Sequence, residues 1–226
     1  MKHVRAVLFD AGGTLIHPDG QRICAAAGVP YEPAAFRRAE AGAVAAVRRF
    51  ILERPDSRDA ERVPLYFGTL IGNLGVAGDR ERALAAGRVG DAHREANLWS
   101  RAADDAAATL SGLRARGYRL AVISNADGRV RGLLEAAGLT PLLEFVVDSA
   151  EMGVEKPDPR IFHAATDRLG LSPAACAYVG DVYEIDVLGA EGAGLTGILV
   201  GEGPAPASVL RVPTLSALDA LFAGFE

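Results

Sequence analysis

Four short stretches hold residues whose types and spacing permit chemistry. Asp10 closes the apolar run in VLFDAGGTLI (residues 7–16), and Ser124 and Asn125 close YRLAVISN (118–125). Lys156 lies in GVEKPDPRIF (153–162), and Asp181 follows CAYVG in GDVYEID (180–186). Each stands at, or a short loop beyond, the C-terminal end of an apolar, β-rich segment. Ligands of a parallel α/β sheet bind outside those ends, so the four stretches converge on one crevice. A nucleophilic carboxylate, a hydroxyl beside amide groups, an ammonium and a second carboxylate suit a phosphoryl group with Mg2+. Two carboxylates hold a hard cation through oxygen. The ammonium and hydroxyl neutralise and position phosphoryl oxygens. Asp10 can attack phosphorus to give an aspartyl-phosphate. Taken singly, each residue has a plainer reading: Asp10 and Asp181 as helix caps, Ser124–Asn125 as a turn, Lys156–Pro157 as an exposed loop. Their order, each at a strand end, favours the chemical reading of the set.

The elements that must position them follow from the apolar pattern. Residues 5–9, 118–124, 143–149, 176–181 and 196–201 are short, mostly apolar and β-rich. Such continuous runs are what a parallel sheet covered on both faces requires. Helical patterns lie between them at 104–116, 129–137, 159–169 and 185–191, most of them followed by Gly, with Asp158–Pro159 as a start signal. This alternation predicts a doubly wound α/β domain. Between Ile16 and Arg101 strand signals are few. Phe36, Ala43, Val44, Val47, Phe50 and Ile51 share one face of a helix over 33–53. Two further helical patterns follow, the first interrupted at Pro64. An all-helical insert over 17–101 is therefore expected, with hinges at His17–Gly20 and Leu98–Asp104, and a core of 1–16 and 102–226. The segment 67–78 reads either as a glycine-rich loop or as a poorly capped helix.

Bulk properties narrow the function. The 226 residues are 50% hydrophobic and 23% charged, as in one or two globular domains. The formal charge of −5 argues against nucleic acid or an anionic membrane as partner. No apolar run reaches the roughly 18–20 residues of a membrane span. The N-terminal apolar stretch is too short for a signal peptide, so a cytoplasmic location is expected. Cys24 and Cys176 have no neighbours at metal-ligand spacing and read as reduced buried thiols. Lysine occurs only at Lys2 and Lys156.

FDAGGTL, VISNADG, VEKPDPRIF and VGDVYEID, in this order, resemble the four motifs of the haloacid dehalogenase (HAD) superfamily. The insert after the first resembles that family's C1-type helical cap. The resemblance implies a Rossmann-like core, a cap that closes over the site, Mg2+ as cofactor and a small phosphorylated substrate bound by a monomer or homodimer. Carried over by position, Asp10 is the nucleophile and Lys156 steadies it and the phosphate. Thr14, Ser124 and Asn125 line the substrate site. Asp10, Asp181 and the carbonyl of Gly12 hold the metal, with Glu184 and Asp186 in support.

One position departs from the pattern. Phosphatases of this family usually carry Asp two residues after the nucleophile, as general acid and base; here it is Gly12. Such a group contributes about 10²–10⁴-fold. His17, Asp19 and His93 are the nearest substitutes by sequence, and Gly12 would also suit a loop that needs φ > 0. Haloacid dehalogenases need no acid, but typically lack the metal and the acidic fourth motif. Phosphonatases need a cap lysine, and residues 16–101 contain none. A phosphatase slow on alkyl phosphates is expected, with a dehalogenase or a binding protein of low turnover as alternatives.

Overall fold

The structure is a computed structural model and describes residues 3–224. In chain order its elements are β1 (Ala6–Phe9), β2 (Ile16–Pro18), α1 (Gly20–Ala27), α2 (Pro33–Glu53), α3 (Asp59–Asn73), α4 (Asp79–Glu95) and β3 (Trp99–Ala102). There follow α5 (Ala106–Ala115), β4 (Arg119–Ser124), α6 (Val130–Ala136), β5 (Val146–Asp148), α7 (Ser149–Met152), α8 (Pro159–Leu169), β6 (Cys176–Gly180), α9 (Leu188–Gly192), β7 (Thr196–Val200), β8 (Arg211–Val212) and α10 (Ala217–Ala223). The chain divides into two compact units, Pro18–Ser100 and the remainder on either side of it.

The larger unit is an α/β domain. Its six strands are ordered β5-β4-β1-β6-β7-β8, and the pairs are parallel. β1 is central because all four of its residues are apolar and can be buried on both faces. Leu8 stands opposite Ala121 on β4 and Tyr178 on β6. α8 shows how local sequence fixes an element. Asp158 caps it by accepting from the Arg160 N–H, Pro159 opens it, and Gly170 closes it in the left-handed region. Its Ile161, Phe162, Ala165 and Leu169 then pack in one cluster with Leu8, Ile123 and Tyr178.

The smaller unit is helical, α1 to α4. Phe36, Ala43, Phe67, Leu70, Ala85 and Val89 belong to its core. Pro64 does not break α3. The buried residues that follow it, from Tyr66 to Ile71, fix the helix by packing and outweigh the lost hydrogen bond. The segment 67–78 is accordingly helical as far as Asn73, whose Nδ2 donates to Ala39 O on α2 (3.1 Å). The chain enters this unit along β2 and leaves along β3, which pair as a two-stranded ribbon.

Other expectations needed correction. The helix expected over 185–191 is a π turn at Tyr183–Val187 followed by α9. β8 and α10 carried too short a signal to be anticipated. No helix among the described residues is long and apolar enough to cross a membrane. Cys24 and Cys176 are free and buried.

Candidate functional site

Asp10 extends β1 by one residue, its N–H donating to Val179 O of β6 (2.8 Å). The chain then turns tightly: Leu15 and Ile16 both donate to Ala11 O (2.9 Å each), and Gly13 N donates to Ile16 O. The left-handed residue of this turn is Gly13, at φ 85°, one residue beyond the position anticipated from sequence. A Cβ on Gly13 would lie 2.6 Å from Asp181 Oδ2. Glycine there lets the first loop close on the carboxylate after β6.

Lys156 is the centre of the site, 2% exposed. Its ammonium donates to Asp10 Oδ1, Tyr178 OH and Asp186 Oδ1, each at 2.7 Å. An ammonium has three N–H donors, so this set uses them all. The backbone of Lys156 is gripped as well. Its N–H donates to Asn125 Oδ1 (2.7 Å) and its carbonyl accepts from Asn125 Nδ2 (3.1 Å). Both ends of the Asn125 carboxamide are thus turned to the lysine loop, and its observed work is to brace Lys156. Asp186 was anticipated as a support for metal water. It is 1% exposed, gives Oδ1 to Lys156, and takes the Val182 N–H on Oδ2 (2.9 Å). Gly180 makes room for it, since a Cβ there would lie 2.4 Å from Asp186 Cγ.

Burial dominates the electrostatics. It pushes the Asp10 carboxyl up from 3.8 to about 6, against the pull of Lys156 and with a smaller push from Asp186. Burial also acts to lower Lys156, but Asp10 and Asp186 outweigh it and hold the ammonium well above its usual range. Burial raises the Tyr178 phenol well above its ordinary value, so it stays neutral.

The remaining predicted residues divide. Ser124 (3% exposed) ends β4, its hydroxyl 3.4 Å from Asn125 O. Thr14 is 2% exposed. Its Oγ1, like Glu184 Oε2, is buried with no hydrogen-bond partner among the described residues. Asp10 is not among the groups that act on His17. The electrostatic neighbours of the imidazole are Arg101, Asp105 and Asp104, and burial lowers its pKa. Asp19 caps α1 by accepting from the Arg22 N–H. His93 packs against Phe67 and Trp99 and accepts the Leu98 N–H on Nδ1. Sequence reasoning missed Tyr178. A tyrosine in an apolar strand reads as core, and only its hydroxyl's partners reveal more.

Asp10, Asp181 and Asp186 each offer an oxygen, and these atoms lie within 4.8 Å of one another. Hard, anionic oxygen donors in such a group fit Mg2+. Both oxygens of Asp186 accept from protein donors, the Lys156 ammonium and the Val182 N–H, while Asp10 shares Oδ1 with Lys156.

Comparison with known proteins agrees with the fold. The family model for haloacid dehalogenase-like hydrolases matches residues 4–194. The chain is 46% identical over 103 residues to haloacid dehalogenase-like hydrolase domain-containing protein 3 of Bos taurus, covering 46% of this chain and 41% of that protein. It thus spans about two fifths of that relative's length. It is 35% identical over 141 residues to glyceraldehyde 3-phosphate phosphatase of Methanopyrus kandleri, covering 62% and 60% of the two. A solved dehalogenase superposes with a TM-score of 0.67 at 26% identity over 98% of each chain.

Proposed function

Because the chain belongs to the haloacid dehalogenase-like hydrolase family, we propose that it is a Mg2+-dependent phosphatase of a small phosphorylated metabolite, with Asp10 as nucleophile. One observation carries this reading. The buried Lys156 ammonium lies 2.7 Å from Asp10 Oδ1, in a cluster of three carboxylates at the end of a parallel sheet. Lys156 fixes the orientation of the Asp10 carboxylate and offsets phosphoryl charge. Asp10 attacks phosphorus, the phosphorus–oxygen bond to the leaving group breaks, and its electron pair departs with that oxygen. Asp10, Asp181 and the carbonyl of Gly12 would hold Mg2+, which supplies positive charge to the phosphoryl oxygens. Thr14 and Ser124 offer hydroxyls to the substrate, and Asn125 and Asp186 hold Lys156 in place. Glu184 precedes Asp186 by two residues in the same π turn. With glycine at position 12, no side chain there protonates the leaving group or activates water against the aspartyl-phosphate. Substrates with acidic leaving groups, acyl or aryl phosphates, are therefore favoured. Pro18–Ser100 is read as the cap that selects the substrate.

Gly12 also favours a second reading, a 2-haloacid dehalogenase, since halide leaves without a proton. A hydrolysis screen with and without Mg2+ separates the two. Mg2+-dependent phosphate release, faster from acyl and aryl than from alkyl phosphates, is expected. Metal-independent halide release from 2-haloacids, with no phosphate release, overturns the phosphatase reading.

A further inference from the structure

Tyr178 ties the Lys156 ammonium to the backbone of β4 through its hydroxyl. It lies on β6, 0% exposed, opposite Leu8 of β1. Its hydroxyl donates to Ile123 O at 2.7 Å, on β4, one residue before Ser124. That donation uses the only proton of a neutral phenol. Its oxygen is left to accept, and it accepts from Lys156 Nζ at 2.7 Å. The ring is set by Phe162 of α8, edge-on at 82° with centroids 5.1 Å apart. The direction of both hydrogen bonds is therefore determined: lysine to tyrosine, tyrosine to carbonyl.

We propose that Tyr178 is a positioning residue: it anchors the third N–H of the Lys156 ammonium, so that the other two are aimed at Asp10 and Asp186. The inference rests on reading Asp10 as nucleophile and Lys156 as its cation. Without the phenol oxygen, a buried ammonium keeps two partners and one unsatisfied donor. It then turns about Cε–Nζ or draws in water, and the Asp10 carboxylate loses its fixed orientation. A group that acts only in setting the nucleophile lowers kcat and leaves substrate affinity nearly alone.

The lysine count supplies a direct test. Lys2 and Lys156 are the only two lysines, so 15N-lysine labelling gives at most two Nζ signals, and Lys2→Arg assigns them. In the wild-type protein the Lys156 NH3+ should exchange slowly with water. Tyr178→Phe, which keeps the ring and its packing on Phe162, should speed that exchange by about 10-fold or more, the effect of losing one hydrogen bond to a charged group. It should lower kcat on p-nitrophenyl phosphate by about 10-fold with KM changed less than about 3-fold. In a Lys156→Met background the same substitution should add nothing. Should Tyr178→Phe fail to fold, wild-type protein with tyrosine replaced by 3-fluorotyrosine, a weaker acceptor, should show faster Nζ exchange. A folded Tyr178→Phe with wild-type Nζ exchange overturns the proposal. Altered exchange in a protein with no phosphatase turnover supports the tyrosine's hold on the ammonium and refutes the phosphatase reading instead.

Discussion

At the scale of single residues, two neighbouring glycines do different work. Gly12 occupies the position where phosphatases of the family usually carry Asp, and under the proposed mechanism the leaving group would depart unprotonated. Asp10→Asn should abolish hydrolysis. Gly12→Asp should raise turnover of alkyl phosphates by about 10-fold or more, toward the range of a general acid. The comparison is kcat/KM for alkyl and aryl phosphates in a variant shown to be folded; a folded variant with no gain means that another residue already supplies the proton. Gly13 is a backbone requirement. Alanine there must adopt φ near 85° and bring a Cβ within 2.6 Å of Asp181 Oδ2. Gly13→Ala should destabilise the fold by about 1–3 kcal/mol and weaken Mg2+ binding. Denaturant unfolding and metal titration read the two effects separately.

At the scale of elements, the β2–β3 ribbon carries a half-buried imidazole. His17 on β2 is held below its ordinary 6.5 by burial first and by Arg101 of β3 second, against smaller contributions from Asp105 and Asp104. A depressed folded-state pKa means that the unfolded chain takes up the proton first as pH falls. The stability His17 contributes is complete above 6.5 and is lost as pH drops through its lower folded value. Urea unfolding of the wild type should therefore show stability declining below about pH 6.5, and His17→Gln should flatten that part of the profile. An unchanged slope in the variant would assign the pH dependence to other groups. The same histidine was one candidate for the missing acid from sequence. The charged groups that act on it are Arg101, Asp105 and Asp104, and Asp10 is not among them.

At the scale of the whole molecule, each unit has a hydrophobic cluster of its own. Leu70, 0% exposed, belongs to that of Pro18–Ser100. Leu70→Ala should cost about 2–5 kcal/mol. Amide hydrogen exchange should show the lost protection concentrated within 18–100, with the slow Lys156 Nζ signal retained. Loss spread evenly over both units would mean that they unfold as one cooperative body.

Much of this protein was legible in its sequence, for a physical reason. Burial in a two-sided sheet demands uninterrupted apolar residues, so β1, β4, β6 and β7 announced themselves within a residue or two of their observed ends. Caps require particular side chains, so Asp158, Pro159 and Gly170 bounded α8 to the residue. Polar residues at strand ends are few, so Asp10, Ser124, Lys156 and Asp181 stood out as a set. Tertiary structure alone decided what those side chains touch. Asn125 turned its amide to a backbone 31 positions away, Asp186 gave its carboxylate to an ammonium, and Tyr178 spanned from β6 to β4. Pro64 stayed inside a helix and the left-handed angle fell on Gly13 because packing and the closing loop set them. Local composition fixes which conformations a segment tolerates; hydrogen-bond partners distant in sequence are chosen only when the strands are laid side by side.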